Sequence, residues 1–248
     1  MSSESSRYRE RIYGSYVNAR VQPLAPSTIE GLRPRLPYLR QLVRRHFPRH
    51  YDALIFELGC GHGALLHVLE SMGYRNVRGV DGSSEQVTAA RRLGIARVEQ
   101  GELTEALRAT PDQSQDVIVT FDVIEHFTKA ELIPLVDEVR RVLRRGGRWI
   151  IHAPNAESPF GMRMRYWDIT HEQAFTRTSI AQLALASGFS GVECFEDQPV
   201  PHGFKSAIRF VLWKLIRAGL LFYIAVETGA FDRRAIFSQN LLAVVQRD

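Results

Sequence analysis

The segment LIFELGCGHGALL, residues 54–66, decides the fold of this 248-residue chain. An apolar run ends in Glu57, three glycines follow at alternate positions, and an apolar stretch of helix-forming residues comes next. A buried strand that turns abruptly into a helix needs glycine where the backbone takes positive φ or where a ligand meets the main chain. The segment therefore predicts a strand, a tight ligand-facing turn at Gly59, Gly61 and Gly63, and a helix.

The acid before the glycines separates two kinds of nucleotide-binding turn. The dinucleotide fingerprint is G-x-G-x-x-G, whose backbone N–H groups face a pyrophosphate. Here the spacing is one residue tighter, and Glu57 at the end of the strand would repel a phosphate. A second predicted strand, residues 76–81, ends in Asp81, where a second βα unit places a carboxylate against ribose hydroxyls. The two acids indicate a ligand with an amino group, a sulfonium charge and a ribose.

This segment resembles motif I of the class I S-adenosylmethionine-dependent methyltransferases, and Asp81 resembles their ribose-binding acid. The run DVIEH at residues 122–126 resembles the DVxEH signature of small-molecule O-methyltransferases, including those of ubiquinone biosynthesis. Residues 143–147 resemble the family's L-(K/R)-P-G-G turn, with Arg145 in place of proline. The resemblance covers roughly residues 50–200. It implies S-adenosylmethionine as the cofactor and S-adenosylhomocysteine as its product.

The resemblance also implies which residues contact the cofactor. Glu102 follows the third predicted strand, where the family usually has an aspartate that accepts a hydrogen bond from the adenine amino group. The N-terminal segment YGSYVNAR, residues 13–20, is either a lid over the cofactor, through an aromatic such as Tyr16, or a loosely ordered tail. The implied cofactor-binding residues are Glu57, Gly59, Cys60, Gly61, Gly63, Asp81, Gly82, Glu102, Leu103, Asp122, Val123 and Tyr16.

Strand and helix patterns alternate along the chain, as in a doubly wound α/β sheet. The resemblance implies a Rossmann-like sheet of seven strands, the last one antiparallel, with helices on both faces. We predict a basic helical extension or lid at residues 1–50, and a methyltransferase domain at 51–248 with a helical insertion at about 203–238. Further strands are predicted at 96–100, 116–127, 144–155, 191–200 and 240–248, and helices at 62–72, 83–93, 129–143 and 176–189.

Composition and charge favour a cytoplasmic enzyme. A hydrophobic content of 45% is ordinary for a packed core. There are two cysteines, and Cys60 lies inside the glycine segment, which favours a reducing compartment over a disulfide framework. No hydrophobic signal segment precedes the domain, so we expect no export. The net charge of +5 is concentrated in residues 1–50, with ten arginines against three glutamates. This basic surface is interpreted as a solvated helix face, and attraction to an anionic partner or membrane is the alternative.

Three histidines are candidates for a general base. An alcohol is a poor nucleophile until its proton leaves, and a histidine within hydrogen-bond reach can accept that proton. His126 lies just beyond the fourth predicted strand, at the carboxyl edge where doubly wound folds bind ligands. His152 ends the fifth strand and His171 lies in the next loop. His126 is the first candidate, and each of the three can instead be structural. No metal is expected, because the histidine and aspartate spacings match no standard ligand motif.

The connection at residues 154–176 indicates the acceptor, because long ordered loops are usually functional. It combines Phe160, Tyr166 and Trp167 with polar groups, which suits a sugar ring, although the aromatic residues can also simply cover the sheet. Its D-x-T-H…F-T pattern resembles methyltransferases of bacterial lipopolysaccharide and capsule pathways. We predict O-methylation of a sugar hydroxyl. The alternatives are O- or N-methylation of a small metabolite such as a quinone precursor, and a non-catalytic cofactor-binding protein.

Two further predictions concern partners. No nucleic acid is expected, because the chain lacks the Asn/Asp-Pro-Pro-aromatic tetrad of enzymes that methylate amino groups of DNA bases. The segment at residues 205–229 is apolar but interrupted by Lys214 and Arg217, and it is too short in uninterrupted apolar residues to span a bilayer. It is predicted to be a lid, a homodimer contact, or an interfacial helix at the inner face of the membrane. The last reading gains weight if the glycan acceptor is lipid-linked.

Overall fold

The computed structural model describes residues 11–12 and 25–248. Its strands are β1 (Leu54–Leu58), β2 (Asn76–Asp81), β3 (Val98–Gln100), β4 (Gln115–Phe121), β5 (Leu143–Pro154), β6 (Gly191–Glu196) and β7 (Asn240–Gln246). They form one sheet in the order β3-β2-β1-β4-β5-β7-β6. The strands β1 to β5 pair in parallel, and β7 is antiparallel to both β5 and β6. The predicted Rossmann-like doubly wound sheet with an antiparallel last strand is confirmed.

Helices cover both faces of this sheet. Adjacent residues of β1 show the arrangement, because Ile55 packs into the core on one face while Phe56 packs into the core on the other. The first core contains α1 to α3, and the second contains α4, α5 and α7. The helices are α1 (Leu36–His46), α2 (Ala64–Ser71), α3 (Ser84–Arg92), α4 (Leu103–Arg108), α5 (Lys129–Val142), α6 (Gly161–Arg165), α7 (Arg177–Ala186) and α8 (Phe204–Thr228).

The structure differs from the sequence predictions mainly after β4. The strand predicted at 116–127 ends at Phe121, and a short 3-10 helix follows at Ile124–His126. The reason is local, because Asp122 takes a positive φ of 57° that breaks the extended run. The short helices α4 and α6 were not predicted. Because Asp122 turns the chain at the sheet edge, Glu125 and His126 face the region beyond the strands.

The first and last helices, α1 and α8, differ in how they pack. The helix α1 buries Leu39, Leu42 and Val43 in the core beside the sheet. The helix α8 is largely exposed, with only Ser206 and Leu221 buried among its residues. No helix in the described ranges combines the length and apolarity that a membrane crossing requires. The apolar surface of α8 therefore lies outside the core.

Candidate active site

A cleft of about 1200 Å³ opens at the edge where the parallel strands β1 to β4 end. This is the edge at which doubly wound folds bind ligands. Of the predicted site residues within the described ranges, only Gly63 and His152 do not line the cleft. Tyr16 lies outside the described residues. Those that line it are Glu57, Gly59, Cys60, Gly61, Asp81, Gly82, Glu102, Leu103, Asp122, Val123, His126 and His171.

The turn after β1 is built by glycine conformation and by one aspartate. Gly59, Gly61 and Gly63 all have φ between 54° and 78°, a region that L side chains rarely adopt. The carboxylate of Asp81 accepts hydrogen bonds from the Gly61 N–H at 2.7 Å and from the Ser83 N–H at 2.8 Å. Asp81 therefore fixes both the glycine turn and the start of α3. Each of its oxygens keeps a further lone pair for a ligand hydroxyl.

Two glycines of this turn have different neighbours. A side chain on Gly59 would meet Val123 Cγ2 at 2.4 Å, directly beside the cleft. A side chain on Gly63 would meet Ile95 Cγ2 at 2.8 Å, inside the core. Gly59 therefore keeps the turn in contact with the segment after β4, whereas Gly63 allows α2 to begin against the core.

Glu57 is a buried carboxyl group on the wall of the cleft. The residue is 3% exposed, and its Oε2 has no hydrogen-bond partner among the described residues. Burial raises the pKa of Glu57 to about 8, with Arg35 opposing the shift and Asp81 adding to it. A buried carboxylate without a partner is costly, and a cationic ligand group would remove that cost. The amino group of S-adenosylmethionine, the partner predicted for Glu57, carries such a charge.

Glu102 and Leu103 lie at the start of α4. Glu102 Oε2 accepts a hydrogen bond from the Glu105 N–H at 2.7 Å, so this carboxylate caps the helix. Its other oxygen remains available on the wall of the cleft. On the same wall, burial raises the pKa of the Cys60 thiol, and Glu57 adds to the shift. Cys60 is therefore a neutral, unreactive lining group.

His152 is held behind the cleft rather than in it. Its Nδ1 lies 2.6 Å from Asp122 Oδ1, its Nε2 lies 3.4 Å from Asp197 Oδ2, and its ring stacks on Phe121. Burial alone would lower the pKa of His152, but the two carboxylates outweigh it and raise the pKa to about 10. A protonated imidazole cannot accept a proton. This geometry argues against His152 as a general base and gives it a structural role beside Asp122.

We expect this pair to make stability fall as the pH rises from 6.5 to 10. The pKa of histidine is about 6.5 in an unfolded chain and that of His152 is about 10 in the fold. The stabilisation is therefore fully present below pH 6.5 and is lost as the pH rises through about 10. Because the Asp122 side chain is 48% exposed, solvent screens the pair. We therefore expect the free energy of unfolding to fall by a reduced amount, on the order of 2 kcal/mol.

Urea unfolding at about pH 6.5, 8 and 9.5 measures this loss. The variant Asp122→Asn removes the charge that raises the pKa of His152. It should be less stable at pH 6.5 and show a flatter profile above it. If Asp122→Asn has the same slope as the unmodified protein, the His152–Asp122 pair does not control this range.

His126 and His171 face each other at the cleft, with ring centroids 4.8 Å apart. Burial lowers the pKa of His126 to about 4, and the neighbouring His171 adds to the shift. Burial also lowers the pKa of His171. Both imidazoles are therefore neutral at physiological pH, which is the form that accepts a proton.

A hydrogen-bond relay determines the tautomer of His126. The hydroxyl of Thr170 lies 2.8 Å from Asp168 Oδ1 and 2.8 Å from His126 Nδ1. Because a hydroxyl has one proton and a carboxylate only accepts, Thr170 donates to Asp168 and accepts from His126. His126 Nδ1 therefore carries the proton, and Nε2 carries the lone pair. This is the arrangement of an oriented general base.

Several polar residues of the cleft were not assigned a role from sequence. Arg35, His62, Gln86 and Glu125 all line it, and Glu125 is 1% exposed. Gln86 and Glu125 stand in segments that the sequence singled out, as part of the predicted helix at 83–93 and of the run DVIEH. The sequence patterns did not indicate that the side chains of Gln86 and Glu125 are buried. Of the three aromatic residues predicted for the acceptor, Trp167 lines the cleft, while Phe160 and Tyr166 are exposed outside it.

Comparison with known proteins agrees with this geometry. Residues 56–151 match the model of a family described as a methyltransferase domain. A probable S-adenosylmethionine-dependent methyltransferase of Mycolicibacterium smegmatis is 30% identical over 136 residues, covering 54% of this chain and 51% of that protein. One from Mycobacterium tuberculosis is 30% identical over 151 residues, covering 61% of this chain and 54% of that protein. The chain spans about half the length of the curated relatives it matches.

A solved structure shows the same fold over nearly the whole chain. A SAM-dependent methyltransferase from Archaeoglobus fulgidus superposes with a TM-score of 0.66 at 16% identity, covering 96% of this chain and 99% of that one. The family match, the relatives and the fold agree with the cofactor predicted from the glycine turn. Residues 56–151 therefore match a methyltransferase domain, and the chain is similar in sequence to probable S-adenosylmethionine-dependent methyltransferases and shares their Rossmann-like fold.

Proposed function

We propose that this protein transfers a methyl group from S-adenosylmethionine to a sugar hydroxyl in bacterial surface glycan biosynthesis. The observation that carries the proposal is the joint presence, in one cleft, of the unpartnered Glu57 carboxylate and of His126 oriented by Thr170. The first suits a cationic cofactor group, and the second suits a hydroxyl that must lose its proton. When bound, the cofactor supplies an electrophilic methyl group.

The residues of this chain have separate tasks in that reaction. Glu57 would hold the amino group of the cofactor, and Asp81 would accept hydrogen bonds from its ribose hydroxyls. The Nε2 atom of His126 would accept the proton of the acceptor hydroxyl. The neutral Nδ1–H of His126, held by Thr170, keeps the ring in the tautomer that this task requires.

The sugar acceptor is supported by the wall around His171. Trp167 lines the cleft and is 59% exposed, so it offers an aromatic face to a ligand. Met164 and His171 stand beside it in the same connection and line the same cleft. A surface that combines an apolar face with polar groups matches a ring that has both C–H faces and hydroxyls.

Calorimetry and labelled-cofactor assays test the function in two steps. We expect S-adenosylhomocysteine to bind in a 1:1 ratio, and label to enter a glycan fraction rather than a quinone-precursor fraction. Label in a small metabolite would reject the glycan acceptor but keep methyl transfer. Binding without transfer to any fraction would favour a cofactor-binding protein without catalysis. Absence of binding would reject every version of the proposal.

We further propose that α8 docks the protein on an anionic membrane surface, where a lipid-linked acceptor would be presented. Its exposed apolar side chains include Ile208, Leu212 and Leu215. The helix carries one acidic residue, Glu227, and four basic residues, Lys205, Arg209, Lys214 and Arg217. Apolar side chains with flanking cations suit an interface that has an acyl boundary and anionic headgroups.

Flotation with liposomes tests this contact. We expect the protein to float with vesicles that contain anionic lipid and to stay behind with neutral vesicles, because each cation near the surface contributes about 1 kcal/mol. The double variant Lys205→Glu/Arg209→Glu should lose flotation. The matched control Arg91→Glu/Arg92→Glu, a double charge reversal on exposed residues of α3, should keep it.

Sedimentation of the same samples tests whether a second copy of the chain binds this surface instead. A dimer that dissociates on dilution, together with no flotation, would assign α8 to a second copy of the chain. That result would contradict the membrane contact.

A further inference from the structure

Glu125, His126 and His171 form a cluster on the wall of the cleft. One possible metal ligand atom from each lies within 4.8 Å of the other two. His171 Nε2 is 4.0 Å from Glu125 Oε1. The residues come from two segments, the 3-10 helix after β4 and the connection after β5. The fold therefore brings His171 to Glu125 and His126, which are adjacent in the sequence.

The two histidines are oriented as metal ligands usually are. His171 Nδ1 lies 2.9 Å from the Met164 carbonyl oxygen, so Nδ1 donates and Nε2 carries the lone pair. His126 Nδ1 donates to Thr170, which in turn donates to Asp168. A metal-bound imidazole almost always donates its other ring N–H to a carbonyl or to a carboxylate-linked group. Both rings of the cluster have such a partner.

Glu125 supplies an independent observation. It is 1% exposed, and neither carboxylate oxygen has a hydrogen-bond partner among the described residues. Buried polar groups in folded proteins nearly always have partners, and an exception requires an explanation. A buried carboxylate is stabilised by a paired charge or by coordination to a metal. No described side chain provides a hydrogen bond, although two imidazoles stand beside it.

We infer that Glu125, His126 and His171 bind one divalent transition-metal cation. Two imidazole nitrogens with one carboxylate suit Zn²⁺, Mn²⁺ or Fe²⁺ better than Mg²⁺, which prefers oxygen ligands. Ligand atoms of a tetrahedral zinc site are about 3.4 Å apart, given Zn–N and Zn–O distances near 2.1 Å. Separations of up to 4.8 Å in the cluster must therefore shorten to about 3.4 Å when a cation binds. All three residues line the cleft, so a cation can enter and keep open positions for a ligand.

Cation binding is measured without an acceptor or a cofactor, and it assigns His126 Nε2 to the cation in place of the general-base role given to it above. It also departs from the sequence prediction that no metal is bound. If the acceptor is a hydroxyl compound, its oxygen can occupy an open position, where a cation lowers the pKa of a bound hydroxyl. The cation and the acceptor site would then share one wall of the cleft.

Calorimetric titration of the chelator-treated full chain with Zn²⁺ tests the inference, followed by titrations with Mn²⁺ and Mg²⁺. We expect one Zn²⁺ per chain and weaker binding of Mg²⁺. Changing a group that only orients a ligand costs about 10–100-fold in metal affinity. The ligand variants Glu125→Gln and His171→Asn should therefore each weaken Zn²⁺ by at least about 100-fold.

Matched controls keep the outcome interpretable. Glu193→Gln on β6 and His202→Asn before α8 change exposed residues of the same types and should leave Zn²⁺ affinity unchanged. S-adenosylhomocysteine binding, measured on every variant, reports whether the domain is folded and tests the methyltransferase proposal separately. No Zn²⁺ binding by the unmodified chain, or equal binding by the ligand variants and the controls, would overturn the inference.

Discussion

Replacing Gly59 with alanine is expected to weaken S-adenosylhomocysteine binding at least about 30-fold. The residue has a φ of +67°, and a Cβ would lie 2.4 Å from Val123 Cγ2. Left-handed backbone costs about 1–2 kcal/mol for alanine, and overpacking costs about 1–3 kcal/mol. The turn must shift to relieve both, and it lies between Glu57 and the Asp81-bound Gly61 N–H. About 2 kcal/mol lost in binding corresponds to roughly 30-fold.

Gly94 provides a matched control for the cost of placing alanine in left-handed backbone without a side-chain clash. Its φ is +77°, and a side chain there would meet nothing within 4 Å. Gly94→Ala should therefore cost about 1–2 kcal/mol of stability and leave ligand affinity unchanged. The double variant Gly59→Ala/Val123→Ala removes the clash and should recover part of the affinity. If Gly59→Ala and Gly94→Ala bind the ligand equally well, close approach to Val123 is not what the turn requires.

Most of the predicted cofactor-binding residues come together in one cleft because their arrangement is local, and their contacts with a cofactor stay a prediction. Glu57 and the glycines lie in one short segment, and Asp81 follows at the end of the next strand. A strand–turn–helix unit fixes where such residues stand relative to one another before any long-range contact is known. The expectation of seven strands with an antiparallel last strand came from the family resemblance rather than from local pattern, and no strand order was predicted.

The other part of the cleft, where Glu125, His126 and His171 lie and where the acceptor is proposed to bind, was not predictable in the same way. Glu125 and His171 meet only after α5, β5 and the long connection have packed, and no spacing in the sequence encodes that meeting. His152 shows the same limit, because its two carboxylate partners, Asp122 and Asp197, come from distant segments. Those partners, and not its position at the end of a strand, determine its protonation.

The positive φ of Asp122 explains why the two parts of the cleft differ. The sequence prediction continued the strand β4 through the run DVIEHF, residues 122–127. The turn at Asp122 ends that strand and directs the following 3-10 helix over the sheet edge. A single non-glycine residue in left-handed conformation is rare, and no residue type announces it. The turn nevertheless decides which side chains reach the cleft.

Replacing His126 with alanine is expected to lower turnover with the true acceptor by about 10²–10⁴-fold, the usual contribution of a general base. S-adenosylhomocysteine affinity should change little, because Glu57 and Asp81 are untouched. Thr170→Val removes the hydroxyl that accepts from His126 Nδ1 and should lower turnover less, because the imidazole remains but loses its fixed tautomer. The pH profile should also move in Thr170→Val, which a purely structural role for Thr170 would not require.

Chelation separates the two chemical tasks that His126 can have. If His126 is only a base, chelator treatment leaves the turnover of the unmodified protein intact, while His126→Ala still loses it. If His126 instead holds a cation with Glu125 and His171, chelation produces a loss similar to that of the variant, and added Zn²⁺ or Mn²⁺ restores only the unmodified protein. Full turnover of His126→Ala would contradict both roles. The acceptor proton would then have to leave through another group, and His62 and His171 are the other imidazoles with a lowered pKa among the described residues that line the cleft.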